Sequence, residues 1–153
     1  MFSQKELREK VKFCWEIWNK KDNSTVTYCN LFVQEVMHLL YDYKLFDGCL
    51  ANNILCMMKK YSEWEKIDYM TLISDSFEDT RDHSIIIAAQ HGKPSGHVVV
   101  LLPGKLAYSG KWGKHIPICA NIGKTNFFGK GVSFAFKDEP EYFLYKGDTN
   151  DTN

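Results

Sequence analysis

Apolar residues in the first third of the chain recur at every third or fourth position, the spacing of one helix face. The first series predicts a helix over residues 4–18, and a second series predicts another helix after residue 27, with Thr27 as its N-cap. Cys29 then lies in the first turn, on the buried side. A third helix is expected at 50–61, whereas 64–77 fits a short helix and a loop equally well and is not assigned.

The second half has a different pattern, in which runs rich in β-branched residues are bounded by glycine and proline. Such runs predict strands at 84–89, 96–102, 105–109, 116–122, 132–136 and 142–145. Helices followed by a meandering antiparallel sheet make an α+β fold, in which the N-terminal helices pack on one face of the C-terminal sheet.

Size and composition indicate one domain. The chain has 153 residues, of which 44% are hydrophobic and 25% charged, values close to those of globular proteins. We expect a single catalytic domain over 1–146, made of an N-terminal helix in 1–24 and a catalytic core in 27–136. Residues 147–153 are expected to form a polar tail.

Charge and apolar run length exclude several classes of protein. Lysine plus arginine equals aspartate plus glutamate, at 19 each, which is unlike the basic surface of nucleic-acid-binding proteins. No run is long and apolar enough for a membrane helix, and the N-terminus lacks the apolar core of a signal peptide. The sequence predicts a protein made in the cytoplasm, with no nucleic acid or membrane partner.

The five cysteines are an odd number and lack paired spacing, which predicts free thiols in a reducing compartment. His91 and His97 with Cys49 and Cys56 also lack the spacing of zinc ligands, so no metal is expected. The segment 123–125 lacks the upstream glycine of a phosphate-binding loop, and no cofactor is expected.

Cys29 is the first candidate for chemistry. A thiol in the first turn of a helix is close to unpaired backbone amides and to the positive end of the helix dipole, which stabilise a thiolate. The alternative is that Cys29 is only a small core residue. A nearby base would distinguish the two interpretations.

His97 is the candidate base, because it opens the strand predicted at 96–102 and could face the start of the Cys29 helix. It could equally be a core histidine bonded to the backbone. A third polar group should hold its second nitrogen, and Asn121 at the end of a neighbouring strand fits that role. His115 is the rival for this place, and Asp82 is a more distant one.

Three segments together resemble the papain-fold cysteine amidohydrolases of the NlpC and CHAP type. They are Cys-Asn-x-Phe-Val at a helix start, Ser-Gly-His-Val-x-Val-x-x-Pro-Gly on a strand, and an asparagine on the next strand. The matching residues are Cys29, Asn30, Phe32, Val33, Ser95, Gly96, His97, Val98, Val100, Pro103, Gly104 and Asn121. The resemblance extends over about 27–136 and implies a papain-like fold.

The resemblance further implies hydrolysis of an amide bond in the peptide stem or cross-link of bacterial peptidoglycan. By matched position Cys29 is the nucleophile, His97 the general base and Asn121 the orienting residue, although many members carry histidine or an acid in the third place. The residues themselves permit acyl transfer, with the backbone N–H of Cys29 as oxyanion donor. Tyr28 and Trp112 are candidate aromatic walls of the substrate cleft.

Several alternatives remain open at this stage. The enzyme could be a phage-type endolysin that acts on the wall after release, or an effector delivered into a competing cell, which implies an immunity protein as partner. The chain could instead be a catalytically silent binding module of the same fold. A third alternative is an intracellular cysteine acyltransferase that uses the same thiol and imidazole.

Overall fold

The computed structural model describes residues 2–22 and 27–147, and these form helices packed on an antiparallel sheet of six strands. This confirms the α+β class. The predicted tail lies outside the described residues from residue 148 onward. The helices are α1 (Gln4–Asn19), α2 (Cys29–Tyr41), α3 (Ala51–Lys60), α4 (Tyr69–Leu72) and α5 (Asp75–Thr80). The strands are β1 (Trp64–Ile67), β2 (Ile86–Gln90), β3 (His97–Ser109), β4 (Lys114–Asn121), β5 (Phe127–Gly131) and β6 (Glu141–Tyr145).

The three predicted helices correspond to α1, α2 and α3. Helix α1 begins at a reciprocal cap, in which the Ser3 hydroxyl accepts from the Glu6 N–H and the Glu6 carboxylate accepts from the Ser3 N–H. Helix α2 begins one residue later than expected, because the carbonyl of Tyr28 accepts its first helical hydrogen bond, from Phe32. The prediction of Thr27 as N-cap is therefore wrong, while Cys29 does lie in the first turn.

The strand order in the sheet is β1-β6-β2-β3-β4-β5. Strands β2 to β5 form the expected meander, but the last strand returns to the other side and pairs between β1 and β2. The unassigned stretch 64–77 contains β1, α4 and the start of α5.

Two strand predictions fail near glycine and proline. The segments 96–102 and 105–109 belong to one strand, β3, whose pairing with β4 is interrupted by a bulge between Leu102 and Ala107. The segment 132–136 is not a strand, because Val132–Phe134 forms a single 3-10 turn. The strand beside β4 at the edge of the sheet is β5, which precedes this segment. In β5 two glycines replace the β-branched residues on which strand prediction depends.

Both faces of the sheet are buried. On one face Ile87, Val98, Val100 and Phe143 pack against helices α1, α2 and α3, as predicted from the order of helices and strands. On the other face a second apolar layer is covered by shorter segments; it includes Ile86, Val99, Leu101, Cys119, Val132 and Phe136. Among the described helices, none has both the length and the apolar character needed to cross a membrane.

Candidate active site

Cys29 is the first residue of α2, and its side chain is 5% exposed. Its thiol lies against the backbone N–H of Val98, the residue directly after His97, and also near the N–H groups of Asn30 and of Cys29 itself. The N-terminus of α2 and the start of β3 therefore meet at this sulfur. The sequence interval between the two segments is long, so only the tertiary fold brings them together.

Two opposing effects act on the pKa of the Cys29 thiol. Burial raises it, because a thiolate loses hydration inside the protein, and the three backbone N–H groups lower it in part. Burial is the larger effect, so the pKa lies above the ordinary thiol value. The resting sulfur is a neutral thiol at neutral pH, and it needs a base to take its proton as it reacts.

His97 is the first residue of β3 and Asn121 is the last residue of β4. Val100 pairs with Ala120 across the two strands, so the register places His97 and Asn121 on the same face, diagonally opposite each other. The Nε2 atom of His97 lies 2.6 Å from the Oδ1 atom of Asn121. The strand order thus brings together the histidine and the asparagine that the sequence singled out.

The orientation of the Asn121 amide determines which nitrogen of His97 carries the proton. The Nδ2 of Asn121 donates to the carbonyl of Thr125 at 2.6 Å, so its Oδ1 faces the imidazole. An amide oxygen only accepts, and Nε2 of His97 must therefore be the donor. In the neutral ring Nδ1 is then unprotonated and able to act as a base.

Burial lowers the pKa of His97, and the hydrogen bond to Asn121 opposes this effect only in part. The ring is enclosed on one side by Phe136, whose centroid lies 5.3 Å away. The register of β3 places the His97 ring on the face of the sheet that Phe136 covers, whereas Cys29 packs in the apolar layer on the helix-covered face. The groups that shift the pKa of the thiol do not include the imidazole, and those that shift the pKa of the imidazole do not include the thiol. A neutral imidazole and a neutral thiol are not a preformed ion pair, so any proton transfer between them belongs to the attack step.

A cavity of about 570 Å³ opens beside His97. Its walls come from four segments: the residues just before α2, the β2–β3 loop, the β4–β5 turn and the 3-10 turn. The lining includes Thr27, Ser95, His97, Asn121, Gly123 and Phe134. Phe134 is 69% exposed, so it is the aromatic side chain available to a bound molecule at the rim.

Among the residues that the structure describes, the lining includes His97 and Asn121 but not Cys29, whose segment reaches the cavity at Thr27.

Tyr28 and Trp112, the aromatics suggested by the sequence as cleft walls, also lie outside the lining. The Tyr28 ring packs on Trp18 at 5.3 Å between centroids. Trp112 packs on the second apolar layer, and its indole donates to the carbonyl of Lys137. Tyr28 directly precedes a helix that packs on the core, and its ring therefore lies toward α1. The aromatic side chain at the cavity is instead Phe134.

The alternatives to Asn121 lie elsewhere. His115 is near the opposite end of β4, where its ring packs against Tyr108 with 5.3 Å between centroids. The Asp82 carboxylate accepts a hydrogen bond from the Ser84 hydroxyl, before the start of β2. The side chain bonded to Nε2 of His97 is that of Asn121.

Two residues that the sequence did not single out hold the segments around the site. Asn52 on α3 donates to the carbonyl of Gly92 at 2.8 Å and accepts from the Gly92 N–H at 3.1 Å, which fixes the β2–β3 loop. Trp15 on α1 donates from Nε1 to the backbone carbonyl of Asn121 at 3.0 Å. The sequence gives only a weak signal for these two contacts. A hydrogen-bonding side chain on a helix does not indicate which distant backbone group it will bind.

Over residues 2–22 and 27–147, no group of three or more histidine, cysteine, aspartate or glutamate side chains could hold a metal ion. The chemistry that the described residues offer is that of a thiol, an imidazole and an amide. No protein-family model matches the chain, and a search of curated proteins finds no match either.

Proposed function

We propose that this chain is a cysteine peptidase or amidase of papain-like fold that hydrolyses amide bonds in the peptide part of bacterial peptidoglycan. The observation that carries the proposal is the orientation of the Asn121 amide, which leaves Nδ1 of His97 as the base. The Cys29 thiol lies at the N–H of Val98, the residue directly after His97, and the proposal requires the His97 ring to reach this sulfur from the other face of the sheet. The choice of peptidoglycan as substrate depends on the sequence resemblance.

The proposed reaction is acyl transfer through a thioester. Nδ1 of His97 takes the proton of the Cys29 thiol as the sulfur attacks the scissile carbonyl carbon. The backbone N–H of Cys29, at the start of α2, donates to the developing oxyanion. The C–N bond then breaks, and His97 returns the proton to the leaving amine.

Hydrolysis of the thioester completes the cycle. Nδ1 of His97 removes a proton from a water molecule as its oxygen attacks the thioester carbonyl. The C–S bond breaks, Nδ1 of His97 gives this proton to the departing sulfur, which is again a thiol, and the product leaves as a carboxylic acid. Asn121 keeps the imidazole in position in both halves of the reaction, and it does not exchange a proton.

The test is incubation of purified sacculi with the wild-type protein and with Cys29→Ala, followed by mass analysis of the released muropeptides. We expect release by the wild-type protein alone. Cys56→Ala is the matched control, because Cys56 is an exposed thiol on α3, whereas Cys29 is buried at the start of α2, and Cys56 should be dispensable. Equal release by wild type and Cys29→Ala, or release by neither, would contradict the proposal.

A catalytically silent binding module is the second candidate, favoured by the burial that raises the pKa of Cys29. Iodoacetamide labelling distinguishes the two, in a background where the exposed Cys56 and the half-buried Cys49 are changed to serine. An enzyme should label at Cys29 ahead of the buried Cys14 and Cys119, and this preference should disappear in His97→Ala. A silent module should show no dependence on His97.

A further inference from the structure

The cavity beside His97 has a lining of one charge sign. Its titratable side chains are Lys93, Lys124, His91 and His97, and among the described residues no aspartate or glutamate lines it. The whole chain has equal numbers of acidic and basic residues, 19 each, so this bias does not follow from composition. Clefts lined by one sign of charge concentrate ligands of the opposite sign.

The two lysines come from loops on either side of the imidazole. Strand β3, which begins at His97, lies between β2 and β4 in the sheet. Lys93 belongs to the loop that joins β2 to β3, and Lys124 belongs to the turn that joins β4 to β5. Both side chains are exposed, so their ammonium groups can reach a ligand bound between the loops.

Neither lysine is held by a protein anion among the described residues, a property they share with most lysines of the chain. What sets Lys93 and Lys124 apart is that both line the cavity. Ion pairs hold Lys44, Lys59, Lys66 and Lys114. Within residues 2–22 and 27–147, the ion pairs include neither Lys93 nor Lys124. An ammonium group without a protein partner can pair with a carboxylate of the ligand, whereas a cationic ligand would be repelled.

We propose that the cavity selects substrates with a free carboxylate on the residue next to the scissile amide, and that Lys93 and Lys124 bind this carboxylate. This inference rests on the proposed function, because it specifies the substrate class of the same site. It makes Lys93 and Lys124 specificity residues, with no part in the proton transfers between Cys29 and His97.

The test uses two synthetic peptides that differ in one group, a carboxylate or its carboxamide beside the scissile amide. Binding is measured by titration calorimetry with Cys29→Ala, which cannot form the thioester, and cleavage by the wild-type protein is measured as kcat/KM. We expect about fivefold to tenfold tighter binding of the carboxylate peptide, the size that two solvent-accessible ion pairs supply. The preference should shrink as salt is added.

Substitution of the lysines assigns the effect. In the Cys29→Ala background, Lys93→Gln and Lys124→Gln should each reduce the preference, and the double variant should remove it. Lys105→Gln is the matched control, since Lys105 is an exposed lysine on β3 outside the cavity lining. It should leave the preference unchanged.

The outcomes separate this inference from the proposed function. Equal binding of both peptides, or an unchanged preference in the double variant, overturns the carboxylate site, even if the wild-type protein cleaves sacculi. A preference that depends on both lysines, together with no cleavage of peptide or sacculi by the wild-type protein, supports the site and overturns the hydrolase.

Discussion

The Nε2 atom of His97 lies 2.6 Å from the Oδ1 atom of Asn121, and the same amide donates to the carbonyl of Thr125. The second hydrogen bond fixes the orientation of the amide and thereby the tautomer of the imidazole. The asparagine therefore contributes more than a restraint on the ring, because it decides that Nδ1 is the basic nitrogen.

Asn121→Ala removes this control. The imidazole can then rotate or adopt the other tautomer, so we expect kcat to fall by roughly 10- to 100-fold with a smaller change in KM. The carbonyl of Thr125 also loses its donor, which should reduce the free energy of unfolding by about 1 kcal/mol. Steady-state kinetics on a cleaved peptide and urea denaturation measure the two effects.

Asn121→Asp is the informative companion to this variant. A carboxylate at the same place favours the imidazolium and raises the pKa of His97. The acid limb of the pH profile of kcat/KM should move to higher pH in this variant. A wild-type profile in Asn121→Asp, or a wild-type kcat in Asn121→Ala, would remove Asn121 from the positioning role.

The pKa of His97 predicts how stability changes with pH. Burial lowers the pKa in the folded protein below the ordinary value of 6.5. Below that pH His97 binds a proton in the unfolded chain but stays neutral in the folded protein until its lower pKa is reached. The free energy of unfolding therefore falls as the pH is lowered. His97→Gln should flatten this dependence in urea titrations over the acid range, and equal slopes in the two proteins would contradict the assignment.

The helices and the position of Cys29 could be predicted because their signal is local. Apolar residues three and four positions apart identify a helix without knowledge of its partners. Strand β5 was not predicted because its local signal is weak: Gly129 and Gly131 interrupt the pattern of β-branched residues. The segment is a strand because it pairs with β4, and this pairing is not visible in the local sequence.

The supports of the site could not be predicted in the same way. Trp15 and Asn121 are 106 positions apart, and Asn52 and Gly92 are 40 apart. Neither hydrogen bond has a local pattern, because each depends on how a helix packs on the sheet. The pairing of His97 with Asn121 was accessible only as a hypothesis about adjacent strands, whose register a bulge could have shifted.

Trp15→Phe tests whether α1 contributes to the site. The change keeps a large ring but removes the indole N–H that donates to the backbone carbonyl of Asn121. Leaving this part-buried acceptor without its donor should lower the free energy of unfolding by about 1–2 kcal/mol. We also expect a lower kcat, because the end of β4 loses one of its restraints.

Trp18→Phe is the matched control on the same helix. The Nε1 atom of Trp18 is buried, and within the part of the chain that the structure describes it has no hydrogen-bond partner. Removing this N–H leaves no acceptor without its donor among the described residues. The free energy of unfolding should therefore fall less than in Trp15→Phe. Equal losses in urea denaturation, with equal kcat, would show that the indole of Trp15 contributes only packing.

Gly123→Ala tests the placement of the imidazole without altering any catalytic group. A Cβ atom at residue 123 would lie 3.0 Å from Cε1 and 3.6 Å from Nε2 of His97, so the ring must shift by a few tenths of an ångström. Since reaction rates depend steeply on the alignment of base and nucleophile, we expect kcat to fall at least about tenfold. The NMR signals of the His97 ring should move with it.

Gly110→Ala provides the comparison, because a Cβ atom there meets no other atom within 4 Å. This variant should keep the wild-type kcat and the wild-type His97 signals. If Gly123→Ala moves those signals but leaves kcat unchanged, the imidazole position does not limit the reaction, and His97 loses its role as the base. If Gly123→Ala changes neither the His97 signals nor kcat, residue 123 does not contact the His97 ring.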